Sequence, residues 1–434
     1  SCDLKLLMTQ TKKDLDIAVF GATGFTGKFV VERICRISNE LPGLEWAISG
    51  RSESKLQEIF NIVTLSGDNN VPRPEVIIAD VHKPDTLQAL ARRAKVIINC
   101  VGPFRFYGEA VVKACIENDA NYVDVSGETE FIERIQLAYG EKAKRKNVAI
   151  VPACGYDSVP AELGFLFTKR QLEARGAIPS QIEMFSRISG GSNGLVIHYT
   201  TYSSLVHSVS NVGALRELRK HAHRPIVPKI GPALKVPPPS KWDSRFQGYV
   251  VPSLTADLSV LKLGQQLDIE YNSGVPPAQV ASYFVIPKLK YLIMIFLGGA
   301  VFRLLIRYEW GKNLLLKHPK FFSFGFFTHE GPSLEQVQRG SFSHRFYARG
   351  ISKFRLASEI ESYTDDISNQ NSETLSNLQP DVELITTVVG PEPAYLATSI
   401  IAVASAQTLL KERQEIPSGV ITPGLAFGKT SLMQ

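Results

Sequence analysis

The sequence predicts the α/β class, with a doubly wound parallel sheet flanked by helices in the first third of the chain. Three observations carry that expectation. An apolar strand, Asp16-Ile17-Ala18-Val19-Phe20, runs into three glycines spaced three apart and then into the helical pattern Lys28-Phe29-Val30-Val31. Apolar runs alternate with amphipathic ones as far as about residue 152, as a sheet with crossover helices requires. Those apolar runs are continuous rather than alternating, which fits strands buried on both faces.

The first turn, Gly21-Ala22-Thr23-Gly24-Phe25-Thr26-Gly27, has the chemistry to seat a pyrophosphate. Gly21 permits a tight turn, Gly24 lets the backbone approach a phosphate, and Gly27 lets the helix pack close to the strand. The free N–H groups and partial positive charge of the helix N-terminus complete an anion site. Gly21, Thr23, Gly24, Phe25, Thr26 and Gly27 are therefore expected dinucleotide contacts, against the alternative of a purely structural turn.

The second strand, Trp46-Ala47-Ile48-Ser49, ends in Gly50-Arg51-Ser52. An NAD site usually places an acid here for the ribose 2′-OH, whereas an NADP site places a basic group for the 2′-phosphate. Glu53 comes only on the following helix. Arg51 offers a planar fork and Ser52 a hydroxyl, and Lys55 follows a turn later. NADP is expected ahead of NAD; otherwise Arg51 merely caps a sheet edge.

Asp80, ending the third strand, either accepts from an adenine amino group or caps the helix starting near Lys83-Pro84. Asn99, Cys100, Val101, Gly102 and Pro103 end the fourth strand, where such folds line the crevice beside the nicotinamide ribose. Tyr107, with Phe104 and Phe106, walls the nicotinamide or packs between domains. Tyr122-Val123-Asp124-Val125 and Val148-Ala149-Ile150-Val151 complete six strands.

The 434 residues favour two or three domains with ample chain for a core, and 44% hydrophobic with 21% charged residues excludes a disordered chain. Cys2, Cys35, Cys100, Cys115 and Cys154 form no CxxC and no metal-ligand spacing. A reducing compartment and no metal are expected. Leu4 to Met8 is too short for a signal-peptide core, so secretion is not expected. No GxxxxGK loop and no Ser-His-Asp arrangement is evident.

From about residue 180 the character changes. Residues 211–245 carry Arg216, Arg219, Lys220, Arg224, Lys229, Lys235, Lys241 and Arg245 against Glu217 and Asp243 alone, with Pro237-Pro238-Pro239 among them. An exposed basic loop is expected. Few aromatics and no nucleic-acid motif accompany it, so an anionic membrane surface is the natural partner rather than nucleic acid. Tyr291 to Phe302 is uncharged and strongly apolar. As a helix it reaches roughly 18 Å, short of the ~30 Å hydrocarbon core. Lys288, Lys290, Arg303 and Arg307 flank it, and Phe321, Phe322, Phe324, Phe326 and Phe327 follow. A buried core helix is one reading. The expectation adopted for residues 284–327 is an apolar hairpin lying in a lipid surface, its basic residues snorkelling to headgroups. Residues 357–380 read as a polar loop, Val382 to Gly390 as a strand, and Ala394 to Arg413 as a helix rich in small residues.

These segments together resemble the saccharopine dehydrogenase-like oxidoreductases. The resemblance is carried by Phe20 to Gly27, Ser49 to Ser52, Asn99 to Gly108, Val123 to Glu128, Gly155 to Gly164, Phe321 to Gly325 and Gly390-Pro391-Glu392. It implies a Rossmann NADP-binding domain over residues 1–165, a second α+β domain with a mixed sheet over 166–393, and a C-terminal segment, 394–434, whose helix returns to the first domain. It further implies lipid-droplet or membrane association for animal members, and a mycobacterial relative is a lipid enoyl reductase. The expected function is NADP-dependent hydride transfer to a lipid or other apolar substrate at a droplet or membrane surface. The alternative is a non-catalytic lipid-droplet or ligand-binding protein that retains the cofactor fold. A homodimer is left open. No arginine cluster suits saccharopine, a tri-carboxylate.

Hydride transfer needs orientation, a dry pocket and an acid to protonate the product. The Tyr-x-x-x-Lys pair of short-chain dehydrogenases is missing from the first domain: Ser126 stands four residues after Tyr122, and Ala143 four after Tyr139. Tyr308 and Lys312 match the spacing only beyond the apolar patch. Tyr156 is the expected proton donor and Asp157 its orienting group, although Asp157-Ser158-Val159-Pro160 also reads as a helix N-cap. Asp124, Ser126 and Glu128 are the next candidates, with the same helix-capping alternative. His198 and His207 are expected to be structural or solvated.

Overall fold

The computed structural model describes residues 13–37, 42–65, 72–191, 194–235, 240–253, 255–359 and 372–434. Cys2, the Leu4 to Met8 stretch, Pro237 to Pro239 and the middle of the 357–380 segment lie outside the described residues.

The continuous apolar runs form the strands β1 (Leu15–Phe20), β2 (Trp46–Gly50), β3 (Glu75–Ile78), β4 (Ala94–Asn99), β5 (Asn121–Asp124) and β6 (Ala149–Val151). They lie in the parallel order β3-β2-β1-β4-β5-β6. The order reverses between β1 and β4, so the crevice outside their carboxyl ends is the switch point where nucleotides bind. Helices α1 (Phe25–Arg36), α2 (Glu53–Leu65), α3 (Pro84–Arg93), α4 (Phe104–Glu117) and α5 (Thr129–Arg145) make the crossovers. One face of the sheet buries Ile17, Val19, Ile48, Val96 and Ile98; the other buries Ala18, Phe20, Ile97, Tyr122 and Ile150. This two-sided burial is why the strands read as unbroken apolar runs.

Helix α6 (Val159–Ala174) carries the chain into β7 (Ala177–Ser189). The strands β8 (Ile197–His198), β9 (Lys241–Asp243), β10 (Gly248–Pro252), β11 (Gln279–Ile286), β12 (Phe327–Thr328), β13 (Ser341–Ser352) and β14 (Val382–Pro391) follow. A six-stranded sheet runs β14-β13-β7-β11-β10-β9, with only β7 and β11 parallel. This is the mixed sheet of the second domain. Helix α6 packs on one face of it through Ala161, Phe165 and Leu172.

A further strand joins the first sheet from far downstream: β15 (Gly419–Val420) pairs with β6 in parallel. Two residues are too few to register as a strand in sequence, so this edge was not expected. The helix Thr398–Lys411 buries Ala402, Val403, Ala406 and Leu409 against the same sheet, where its small residues permit close approach.

Three expectations need correction. Residues 211–245 are not a plain loop: helix α7 (Tyr199–Ser210) is followed by α8 (Val212–His221) and then by β9. Arg219 and Arg224 pair with Glu133 of α5 at 2.5 and 2.8 Å, so part of the basic face is neutralised within the protein. The 357–380 segment is helical at its described ends, with Lys353–Glu359 reaching into it and Ser372–Asn377 inside it. The 284–327 segment begins as the end of β11, inside a core where Val285 is buried. The rest follows as an apolar helical hairpin. After α9 (Asp257–Glu270) come α10 (Leu289–Leu305) and α11 (Glu309–Lys317). Of α10 only Leu292 and Leu305 are buried, and Ile293, Ile295 and Leu297 are 49%, 48% and 61% exposed. A core helix does not look like this. Among the described residues, the helix long and apolar enough to cross a membrane is Pro393–Lys411, and it is mostly buried in the protein.

Candidate nucleotide site and domain junction

Gly21 adopts φ +87°, which a side chain would strain, and a Cβ there would sit 2.7 Å from Val101 Cγ2. A Cβ on Gly27 would lie 2.1 Å from the Gly21 carbonyl oxygen, so only glycine lets α1 seat on the turn. Gly24 is exposed, and a Cβ there would meet only the Gly21 carbonyl at 3.2 Å. Its front is open. No side chain caps α1 and no acid stands in its first turn. Among the described residues, the N–H groups of Phe25, Thr26 and Gly27 thus lack a side-chain acceptor, as an anion site requires.

Helix α4 is the opposite case. Glu128 Oε1 accepts from the Phe104 N–H at 2.8 Å and Oε2 from the Arg105 N–H at 3.2 Å, and the Ser204 hydroxyl donates to Oε1 at 2.9 Å. Glu128 is a helix cap supplied from another loop, not a free acid. Asp124 is likewise committed. Its Oδ1 accepts the Ser126 and Ala153 N–H groups, both at 2.9 Å, and its Oδ2 the Tyr122 hydroxyl at 2.7 Å. Asn99 donates to Tyr122 Oη at 3.0 Å and accepts from the Val101 N–H at 3.0 Å. This buried network ties together the loops after β4, β5 and β6. Of the segment Asn99 to Pro103, the Asn99 side chain is spent on the protein.

Arg51 and Lys55 are exposed, and neither makes an ion pair among the described residues. The Ser52 hydroxyl lies 3.2 Å from that of Ser54. Asp80 Oδ1 accepts from the His82 N–H at 3.0 Å, shaping the turn before α3, whose N-cap is Lys83. Asp80 therefore does not cap that helix. The Tyr107 ring meets His82 edge-on at 5.8 Å. Phe25 reaches away from the turn, stacking on His198 at 4.8 Å and meeting Tyr395 edge-on at 4.7 Å. It is a contact between domains as well as a neighbour of the phosphate turn.

Tyr156 and Asp157 lie deeper, where the two sheets meet. Tyr156 stacks on His344 at 5.3 Å and meets Phe342 edge-on at 4.9 Å, and its N–H donates to Thr398 Oγ1 at 3.1 Å. His344 Nδ1 lies 2.8 Å from Ser186 Oγ. Ser158 is the N-cap residue of α6, but its hydroxyl makes no capping bond. Sequence reasoning missed Asp257, whose Oδ2 accepts from Thr255 Oγ1 at 2.8 Å. Burial, reinforced by the neighbouring Asp257, pushes the Asp157 carboxyl well above the usual carboxylate range. Burial also raises Asp257, to about 6. Tyr156 Oη, Asp157 Oδ1, Asp257 Oδ1, Ser126 Oγ and His344 Nε2 are buried with no hydrogen-bond partner among the described residues. Unsatisfied atoms clustered like this mark where bound water or ligand completes a site. No sequence signal announces Asp257 or His344, since they are remote from the first domain and stand in no motif.

An open helix N-terminus behind a glycine turn, with free cations at the second strand end, defines a nucleotide-binding oxidoreductase domain. Residues 17–151 match the family model described as the saccharopine dehydrogenase NADP binding domain. The chain is 38% identical to the human saccharopine dehydrogenase-like oxidoreductase over 98% of this chain and 96% of the human one. It is 32% identical to the Caenorhabditis elegans lipid droplet localized protein over 96% and 95%. Apo saccharopine dehydrogenase (L-Glu forming) from Saccharomyces cerevisiae shares the fold, with TM-score 0.51 at 10% identity over 94% of each chain. The chain belongs to the saccharopine dehydrogenase-like oxidoreductase family, and its cofactor is NADP.

Proposed function

We propose that the protein transfers hydride between NADP(H) and an apolar, lipid-derived substrate while lying on a lipid droplet or membrane surface. The observation that carries this reading is the route from the exposed hairpin to the crevice. Tyr202 and Val206 of α7 pack on Leu305 and Leu315 of the hairpin, while Ser204 of the same helix bonds Glu128 at the end of α4. The α4 side chain of Arg105 donates to the His207 carbonyl at 2.7 Å. A lipid surface under α10 is thus one helix away from the loops after β4 and β5.

Gly21, Thr23, Gly24, Phe25, Thr26 and Gly27 hold the pyrophosphate, and Arg51, Ser52 and Lys55 the 2′-phosphate. Asp80 borders the adenosine end, and Tyr107, whose ring meets His82 two residues after Asp80, lies on that side rather than at the nicotinamide. The backbone of Asn99, Cys100, Val101, Gly102 and Pro103 borders the nicotinamide ribose. Bound NADPH supplies the hydride. Tyr156 is the proton donor, and Asp157 with Asp257 holds a proton behind it in a site from which bulk water is excluded. Incubating the protein and NADPH with enals and enones of increasing chain length, presented in vesicles, should consume nicotinamide absorbance. Tyr156→Phe should slow that consumption while NADPH binding persists. Silence across the panel overturns the catalytic reading.

A second reading, a non-catalytic lipid-surface protein that keeps its cofactor, draws support from the commitment of Asp124 and Glu128 to structural bonds. Vesicle binding without turnover would favour it.

A further inference from the structure

Lys169 lies on α6 ten residues beyond its first residue, roughly 15 Å along the helix from the Tyr156 end. It is 1% exposed. Its ammonium donates to Gln265 Oε1 at 3.2 Å and stands 4.6 Å from the centre of the Phe165 ring. No carboxylate lies within ion-pair distance of it among the described residues. Gln265 Oε1 is already shared with the Ala278 N–H at 2.7 Å. A buried ammonium ordinarily has a counter-ion or a full set of acceptors, because desolvating an unpaired charge is costly. With three N–H donors and one shared neutral acceptor, this one has neither.

The nearby acids do not supply the missing charge. Glu162 spends Oε2 on the Gly424 N–H at 2.7 Å; burial raises its carboxyl to about 8 and lowers the Lys169 ammonium to about 8, so the pair does not form a full ion pair. Asp268 accepts from the Ser273 hydroxyl at 2.7 Å and sits further out. Lys169 borders a narrow cleft between α6, α9 and the segment around Gly424 to Lys429, with a cavity volume of about 40 Å³ that opens to solvent. Phe165, Leu166, Leu261, Val275 and Leu425 give the cleft apolar walls, and Arg170 and Lys429 stand on its rim.

We propose that this cleft is a second binding site, separate from the nucleotide crevice, which takes a small monocarboxylate with a short apolar body. The carboxylate pairs with Lys169 and the alkyl portion lies along Phe165 and Leu261. The buried end offers one cation beside apolar walls, so a monocarboxylate with a hydrocarbon body is matched better than phosphate, which has no apolar part to bury. The apolar walls exclude a purely hydrated ion.

Titration calorimetry of the full chain with butyrate tests this, with n-butanol and inorganic phosphate in parallel. Butyrate should give saturable one-to-one heat, and n-butanol and phosphate should not. Lys169→Met, close in volume and free of charge, should weaken butyrate binding by about tenfold or more. Val275→Trp, which fills the cleft and leaves Lys169 intact, should abolish it even if the lysine variant folds poorly. NADPH affinity should stay unchanged in both. Absence of saturable heat, equal binding of butyrate by wild type and Lys169→Met, or equal binding of butanol or phosphate overturns the proposal.

Discussion

The glycine turn after β1 and the α10–α11 hairpin are both left open, and in opposite chemical senses. The turn presents unpaired N–H groups with Arg51 and Lys55 near the same sheet edge. The hairpin presents Ile293, Ile295, Phe296 and Leu297, each about half exposed. One surface wants an anion and the other wants hydrocarbon. Between them the protein buries what usually stays outside: Asp257 and one carboxylate oxygen of the half-buried Asp157, with His344 beside Tyr156. Each unfinished surface lacks the kind of partner that the proposed lipid-acting reductase would meet.

That contrast can be broken at either end. Gly24→Val keeps φ at an ordinary −73° and sets its Cβ 3.2 Å from the Gly21 carbonyl, a tight contact that a small shift of the turn must relieve, and it fills the seat of the pyrophosphate. Losing two charge-assisted hydrogen bonds should raise the NADPH Kd by about two to three orders of magnitude, with vesicle flotation unchanged. Fluorescence titration of NADPH measures it, and retained affinity would show that the turn is only structural. In the reverse experiment, Ile293, Ile295 and Leu297 together become serine. At about 1 kcal/mol of transfer free energy per side chain, partitioning to droplets should drop roughly a hundredfold while NADPH affinity holds. Unchanged flotation would remove the hairpin from the argument.

Arg51→Ala sharpens the nucleotide end. NADPH affinity should fall about tenfold and NADH affinity should stay level, because only the former carries the extra phosphate. The last test concerns the buried middle. Burial holds His344 down at about 4, so the folded protein carries fewer protons there than the unfolded chain between pH about 6.5 and about 4. Its contribution is fully present above that window and is lost as pH falls through it. His344→Phe should flatten the loss by about 1–3 kcal/mol in denaturant titrations at successive pH values. An identical slope in the variant would mean that water reaches the junction.

The first sheet was legible because its strands, covered on both sides, cannot alternate polar and apolar residues. The turn was legible because an L-residue at Gly21 or Gly27 would collide with Val101 or with the turn itself. The hairpin was legible as hydrocarbon, but composition alone does not say which way a helix faces. Glu128 was legible as a helix cap, but not as the cap of α4, because its partners, the Phe104 and Arg105 N–H groups, stand in another loop. Asp257 and His344 went unnoticed because each joins the junction through tertiary packing from a distant element. Helix α8 was hidden by the charges around it, two of which turn inward to Glu133.

The strand β15 makes the order of synthesis matter. Until it arrives, β6 stands bare along a rank of backbone donors and acceptors, an invitation to pair with a neighbouring chain. A nascent nucleotide half emerging from the ribosome therefore waits, incomplete, while the whole mixed sheet is made. A chain that stops before Gly419 would leave the three-residue edge of β6 without its partner.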